Sequence, residues 1–270
     1  MRKFLVLLAF AGACGGEPVE PEPPVVPVPP APPVVPVPPA PPPQTTHVPV
    51  RVVYAYPADK YFRWQYGAAI DSSMNEIQAW YAEELDGTTF ALYGERVETC
   101  QLAEPERVYA DISREQGDAW MWRMYMLLFD HLEPCLGERP GFGGEDPSTI
   151  WMLFFDIHEA CNITYPALGR ASWGVALLGA WDLEGLIEAE DRLCDRGNSY
   201  ARKRWVGGQA HELGHAFGLP HPPGCDAGLP SCDSAALMAS GSYSFPDTYL
   251  RADEMRHLRG TGLLEYRLGG

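Results

Sequence analysis

The chain has 270 residues, and its 36 acidic side chains outnumber the 20 basic ones, which gives a formal net charge of −16. A chain this acidic repels the phosphate backbone of nucleic acids, so the charge argues against a nucleic-acid partner and only mildly favours a basic substrate. The 224 residues from position 47 to position 270 are enough for one domain with a well-formed hydrophobic core.

The first 14 residues have the pattern of a secretory signal. The positively charged Met1–Lys3 precede the apolar run Phe4–Phe10, which is too short to span a bilayer. Small residues then lead to Cys14, and this arrangement resembles the bacterial lipobox, in which the cysteine becomes the lipidated first residue. The resemblance implies a membrane anchor at Cys14 and, since Gly15 is not an aspartate-type retention signal, placement in the outer membrane. The alternative is an ordinary signal peptide cut near Ala13, which would give a secreted protein.

Residues 15–46 are rich in proline. The nine residues Pro23–Ala31 read PPVVPVPPA, and Pro32–Ala40 repeat them without change. Proline lacks a backbone N–H, so the segment favours polyproline II over a helix or a sheet. At about 3.1 Å per residue it would extend roughly 90–100 Å. We interpret it as a stalk that holds a domain away from a membrane; a ligand for proline-binding modules is the alternative.

Alternating and helical hydrophobic patterns follow one another through residues 47–270. The predicted strands are His47–Tyr56, Phe90–Leu102, Ile150–Ile157 and Trp173–Leu178, and the predicted helices are Ile70–Leu85, Asp118–Leu132, Tyr200–Phe217 and Ala252–Leu258. The pattern is that of an α+β domain.

Three histidines in the predicted helix and just after it have the spacing of metal ligands. His211 and His215 are four residues apart, which places them on one face of a helix, one turn apart. Gly218 allows the chain to leave the helix, Pro220 prevents the helix from continuing, and His221 can return as a third ligand. Three neutral nitrogen donors with an open fourth position are typical of catalytic zinc.

Glu212 lies beside a ligand but on a different side of the helix, where its carboxylate can serve as a general base. The whole motif, H-E-x-x-H-x-x-G-x-x-H, resembles that of the metzincins, a clan of zinc endopeptidases. The stretch Ala236–Tyr243 resembles the methionine turn of that clan, with Met238 as its methionine. The resemblance implies a twisted mixed sheet with helices on one side, an active-site helix, and a small irregular lower part after Gly218.

Two further roles are implied by the resemblance alone. The edge strand that pairs with extended substrate would be Ser172–Leu178, and the alternative is an internal strand without substrate contact. Tyr243 would stabilise the oxyanion, although it follows Met238 by five residues where the clan has two. A packing role for Tyr243 is the alternative.

The motif therefore predicts a zinc-dependent endopeptidase that acts on a protein or peptide, with Glu212 as general base and Zn²⁺ held by His211, His215 and His221. Two other functions remain open. One is a non-catalytic, zinc-bearing lipoprotein that binds a peptide or a wall component. The other is a zinc amidase that acts on a cell-wall polymer.

Six of the seven cysteines follow Cys14, and an even number in an exported chain predicts disulfide bonds. Cys225 and Cys232 are near enough in sequence to brace the loop between His221 and Met238, whereas the other pairings stay open. Zinc ligation by these cysteines is the alternative. The four histidines outside the motif lack ligand spacing and are expected to have surface or packing roles: His47, His131, His158 and His257.

Overall fold

A mixed β-sheet forms the centre of the domain in the computed structural model. The structure describes residues 48–94, 97–113, 119–142, 148–159, 168–189 and 201–268. The described residues belong to one compact unit. The predicted signal, Cys14 and the proline-rich stretch lie outside the described residues.

The strands and helices of the described residues are as follows. The strands are β1 Pro49–Tyr56, β2 Thr88–Thr89, β3 Ala91–Leu92, β4 Glu98–Gln101, β5 Ile150–Phe155, β6 Arg170–Ser172, β7 Val175–Leu178 and β8 Tyr266–Arg267. The helices are α1 Trp64–Glu84, α2 Glu106–Ser113, α3 Ala119–Leu136, α4 Ala180–Leu186, α5 Arg202–Ala216 and α6 Ala252–Thr261, with a 3₁₀ helix at Ser240–Ser244.

The main sheet has the order β3–β1–β5–β7–β6, and β4 also pairs with β1. All of these pairings are parallel except the antiparallel pair of β6 and β7. Strands β2 and β8 form a separate antiparallel pair. The predicted α+β class with a mixed sheet is confirmed.

Helices cover both faces of the sheet, so the prediction of helices on one side is wrong. In β1, Val50, Val52 and Tyr54 pack into a core with α1, α4 and α5. The intervening Val53 and Ala55 pack into a second core with α2 and α3. Central parallel strands bury the residues of both faces, and each face then needs a helical layer to exclude water.

Two predicted strands differ from those in the structure. The predicted strand Phe90–Leu102 becomes β3 and β4, which pair with different ends of β1. The predicted strand Trp173–Leu178 is shorter, because a turn at Trp173 and Gly174 separates β6 from β7. Gly174 adopts a φ of +87° at this turn, a conformation that favours glycine. Helix α1 begins six residues before its predicted start, and the helices α2 and α4 were not predicted.

The chain after Gly218 is largely irregular, as predicted, but it shares the core of α1 and α5. Met238, Phe245 and Leu250 are buried in that core. The Trp80 indole N–H of α1 donates to the Pro246 carbonyl oxygen at 3.1 Å. In the described part of the chain, no helix is both long and apolar enough to cross a membrane.

Candidate metal centre

The three histidines of the motif converge on one point. Helix α5 carries His211 and His215, whose Nε2 atoms are 3.1 Å apart. His221 returns from beyond the helix end, and its Nε2 lies 3.1 Å from that of His215 and 3.3 Å from that of His211. Among the described residues, these three form the one cluster of ligand-type side chains with the geometry to hold a metal ion.

Gly218 makes the return of His221 possible. Its φ is +88°, in the left-handed region where a Cβ is unfavourable, and a Cβ at this position would also overlap the Trp173 ring. The Leu219 N–H donates to the Gly214 carbonyl at 3.0 Å, which closes the helix end. The predicted exit from the helix at Gly218 is therefore confirmed.

Each imidazole is oriented by an acceptor on its other nitrogen. Nδ1 of His211 donates to the Leu237 carbonyl at 2.8 Å, and Nδ1 of His215 donates to the Leu219 carbonyl at 2.7 Å. Nδ1 of His221 lies 2.5 Å from Oδ1 of Asp226. A proton on each Nδ1 leaves a lone pair on each Nε2, and the three Nε2 atoms face one another.

The environment keeps the helix-borne imidazoles neutral. Burial, followed by the neighbouring His215, lowers the pKa of His211 to about 4. Burial also lowers the pKa of His215. Because neutral imidazole is the form that binds a metal, these shifts suit the cluster to a metal ion at neutral pH.

The donor set fits zinc. Tetrahedral zinc with Zn–N bonds of about 2.0–2.1 Å places its nitrogen ligands about 3.3–3.4 Å apart, close to the spacing of the three Nε2 atoms. The acceptors on all three Nδ1 atoms are the outer hydrogen bonds that zinc-binding histidines usually have. Three protein ligands leave a fourth position for water or substrate.

Met238 packs against the helix that carries His211 and His215. It is fully buried, and a Cβ at Gly214 would overlap its Sδ atom. The preceding Leu237 supplies the carbonyl that orients His211. The turn therefore supports both the helix and one predicted ligand.

Glu212 is half-buried beside the cluster, and its environment favours the protonated form. Burial, followed by repulsion from Asp182, raises the pKa of Glu212 to about 8, although the positive charges of Arg170 and Arg204 act in the opposite direction. A carboxyl group with a pKa near neutral pH can both accept and donate a proton. The sequence did not single out Asp182, Arg170 or Arg204, because they come from other elements or from two turns earlier in α5.

Tyr243 lies against α5. It belongs to the 3₁₀ helix and is half exposed. The Arg204 guanidinium stacks over its ring at 4.5 Å. Arg204 is seven residues before His211, which corresponds to about 10 Å along the helix. This position favours the packing alternative, and the oxyanion role stays a prediction.

The edge strand near the metal centre is β6. It is antiparallel to β7, and the Gly174 N–H after it donates to the Ala216 carbonyl at the end of α5 at 2.9 Å. Of the predicted substrate strand Ser172–Leu178, only Ser172 belongs to this edge. The residues of β7 are buried between β5 and β6, so for them the alternative of an internal strand is correct.

One predicted disulfide is present. Cys225 and Cys232 are bonded, and they close the loop between His221 and Met238. Cys100 and Cys135 carry free thiols in the structure. Cys161 and Cys194 lie outside the described residues.

The other described histidines are not part of the cluster. His131 contacts the Tyr109 hydroxyl at 2.8 Å, and His257 lies 3.4 Å from the Phe217 carbonyl. His158 belongs to a partly buried ionic network with Glu106 and Glu184. His47 lies outside the described residues.

Comparison with known proteins identifies similar folds but no family. No protein-family model matches the sequence, and neither does any curated protein. The crystal structure of catalytically inactive OgpA from Akkermansia muciniphila, in complex with an O-glycopeptide (glycodrosocin) substrate, has a TM-score of 0.51 at 16% identity. The match covers 82% of this chain and 62% of that chain, so this chain spans less than two thirds of OgpA.

Two further structures are similar at lower scores. Wild-type OgpA matches with a TM-score of 0.49 and 18% identity over 78% of this chain and 60% of that chain. Archaemetzincin (amzA) from Methanopyrus kandleri matches with a TM-score of 0.40 and 16% identity over 81% of this chain and 97% of that chain. At these identities the similarity concerns the fold alone.

Proposed function

We propose that this chain is a zinc-dependent endopeptidase. The observation that carries the proposal is the convergence of three Nε2 atoms, each on an imidazole whose Nδ1 has an acceptor, beside a half-buried carboxyl group. His211, His215 and His221 would hold the ion. When bound, zinc lowers the pKa of a water molecule and polarises a carbonyl group.

Glu212 performs the proton transfers. It accepts the proton of the attacking water and then donates that proton to the leaving amine, so one side chain serves first as base and then as acid. No covalent bond between enzyme and substrate is needed for this sequence.

Two variants separate catalysis from metal binding. Glu212→Ala should retain near-stoichiometric zinc, because Glu212 is outside the ligand cluster, and should lose peptide hydrolysis by about 10²–10⁴-fold or more. His221→Ala should instead weaken zinc binding, since two protein ligands would remain. Zinc content and cleavage of casein, an unstructured protein, would be measured on residues 47–270.

The outcomes distinguish the three functions. A parent that holds zinc yet cleaves no peptide in a library favours the non-catalytic binder. A parent that cleaves wall polymer but not peptide favours the amidase. Full peptide hydrolysis by Glu212→Ala would remove Glu212 from the mechanism.

The substrate panel should include glycosylated peptides. The OgpA structure contains an O-glycopeptide substrate, and its fold is similar to this one. Matched peptides with and without an O-linked glycan would show whether this chain requires the sugar.

Strand β6 is the edge of the sheet on which the extended peptide would add as a further strand.

We also propose that the enzyme is exported and anchored in the outer membrane through Cys14. The lipobox-like small residues before Cys14 and the proline-rich stalk after it support this location. Residues 15–46 would then hold the domain away from the membrane surface, where it could bind its substrates.

A further inference from the structure

The three imidazoles of the metal centre differ in the kind and the exposure of the acceptor on Nδ1. The acceptors for His211 and His215 are backbone carbonyls of Leu237 and Leu219, and both of these residues are buried. The acceptor for His221 is the side chain of Asp226. The exposed fraction of that side chain is 81%, against 37% for His221 itself. The third ligand therefore depends on a surface loop.

The loop that carries Asp226 has little apolar packing. Most residues between Pro223 and Ser231 are exposed, including half of the Leu229 side chain. Short turns organise it: the Cys225 N–H donates to the Pro222 carbonyl at 3.1 Å, and the Cys232 N–H donates to the Leu229 carbonyl at 2.9 Å. Exposed turns of this kind open readily when nothing else restrains them.

A covalent bond supplies the missing restraint. The disulfide between Cys225 and Cys232 closes the loop, and Cys225 directly precedes Asp226. Closing a loop covalently removes many of the backbone conformations that it would otherwise sample. The disulfide thereby limits the positions open to the Asp226 carboxylate.

We propose that Asp226 is a positioning residue that fixes the orientation and tautomer of His221, and that the Cys225–Cys232 disulfide keeps Asp226 within reach of it. The loop thus sets the affinity of the centre for zinc. This inference rests on the proposed function, since it assumes that His211, His215 and His221 bind zinc.

The physical reason is the charge of the acceptor. A carboxylate that accepts the Nδ1 proton makes the opposite nitrogen a better donor to a cation and keeps the ring in one orientation. Loss of such an outer partner typically weakens metal binding about 10–100-fold. The loss would act on His221, because Asp226 contacts the ring of that histidine.

The first test measures zinc affinity without reference to catalysis. Zinc-free parent and variants would compete for zinc with a chromophoric chelator. Asp226→Ala should weaken zinc binding about 10–100-fold. Asp226→Asn, which keeps an acceptor oxygen but loses the charge, should have a smaller effect. Asp247→Asn removes the same charge from another exposed position in the lower part and should change the affinity by less than about twofold.

The second test asks whether the disulfide acts through Asp226. The double variant Cys225→Ser/Cys232→Ser is used instead of a reductant, because freed thiolates would themselves bind zinc. It should weaken zinc binding to a similar degree as Asp226→Ala. When the double variant is combined with Asp226→Ala, the affinity should fall little further, since both changes remove the same interaction. Losses that multiply would show that the disulfide acts elsewhere, and would overturn this part of the inference.

A third measurement distinguishes the loss of the Asp226 contact from misfolding of the variant. In the zinc-free parent, ¹⁵N shifts of the His221 ring should show one tautomer with the proton on Nδ1, and Asp226→Ala should give a mixture. Unchanged shifts, or unchanged zinc affinity in Asp226→Ala, would overturn the inference and leave the proposed function intact. A parent that binds no zinc would overturn the proposed function first.

Discussion

At the scale of single residues, the histidines of the metal centre and His158 differ in their charge. The histidines of the metal centre are kept neutral by burial. His158 is kept charged, because its Nδ1 lies 2.9 Å from Glu106 and its Nε2 lies 2.7 Å from Glu184. Lys60 completes the network through Glu106 and the buried Asp156, each at 2.8 Å. The sequence could not separate these cases, because the partners of His158 lie on α2 and α4.

The network predicts a dependence of stability on pH. Although burial opposes the charge, hydrogen bonds to Glu106 and Glu184 raise the pKa of His158 to about 9. A group whose pKa is higher in the folded state stabilises the fold fully below its unfolded pKa of about 6.5, and this contribution is lost as the pH rises through 9. Although burial opposes ionisation, hydrogen bonds from His158 and Lys60 lower the pKa of Glu106 to about 2. The stabilising contribution of Glu106 is therefore present above a pH of about 4.5 and is lost as the pH falls through 2.

His158→Gln tests this prediction. At pH 6 the variant should be less stable than the parent by about 1.5–3 kcal/mol, the range for hydrogen bonds to charged groups. The difference should shrink between pH 6.5 and 9.5, because the parent loses its charged histidine there. The free energy of unfolding would be measured in urea across this range. His257→Gln is the control, and it should keep the pH dependence of the parent; a constant difference for His158→Gln would contradict the assignment.

At the scale of elements, β4 and the end of α3 are linked by ion pairs of Arg51 and by a hydrogen bond from the Cys135 thiol. Arg51 in β1 forms ion pairs with Glu98 of β4 and with Glu138 just after α3. The Cys135 thiol donates to the Thr99 carbonyl at 3.5 Å, and Cys100 lies within hydrogen-bonding reach of Cys135. The sequence did not determine the disulfide partners of these cysteines. Because their thiols are neighbours, we expect Cys100 and Cys135 to form a disulfide bond.

The expected bond can be detected directly. In protein that has been exported, a thiol–disulfide oxidant accepts two electrons, both thiols lose their protons, and mass spectrometry without reductant should find Cys100 linked to Cys135. Burial raises the pKa of Cys100, so the exposed Cys135 should react first with the oxidant. Cys100→Ser should therefore leave Cys135 open to alkylation, whereas in Cys135→Ser the buried Cys100 should react slowly. Alkylation of both residues in the exported parent would refute the pairing.

At the scale of the whole molecule, the location of the protein is the remaining prediction. Cys14→Ser should move the protein from the membrane fraction to the soluble fraction, because the residue that would carry the lipid is gone. Immunoblots of the separated fractions would measure this. Cys135→Ser is a matched control, since it makes the same substitution in the domain. Identical fractionation of the parent and Cys14→Ser would show that no anchor is attached there.

The sequence alone determined what depends on local spacing. The positions of His211, His215 and Gly218 within one helix and its end follow from helical geometry and from the freedom of glycine. The convergence of the histidines and the bend at Gly218 were therefore predicted correctly, and zinc binding by the cluster stays a prediction. Strands β1 and β5 and helices α1 and α3 were also predicted from local patterns: β1 from alternation, β5 from a nearly continuous apolar run, α1 from a helical apolar stripe, and α3 from its many apolar residues.

Only the tertiary structure decided what depends on residues far apart in sequence. The division of 172–178 into an edge strand and a buried strand depends on pairing with β5, and the placement of helices on both faces depends on how the layers pack. The Leu237 carbonyl that orients His211 comes from 26 residues away. Asp226 is only five residues from His221, but its contact depends on a loop closed by a disulfide. Contacts of this kind leave no periodic signal, because their partners are brought together by the packing of the whole domain.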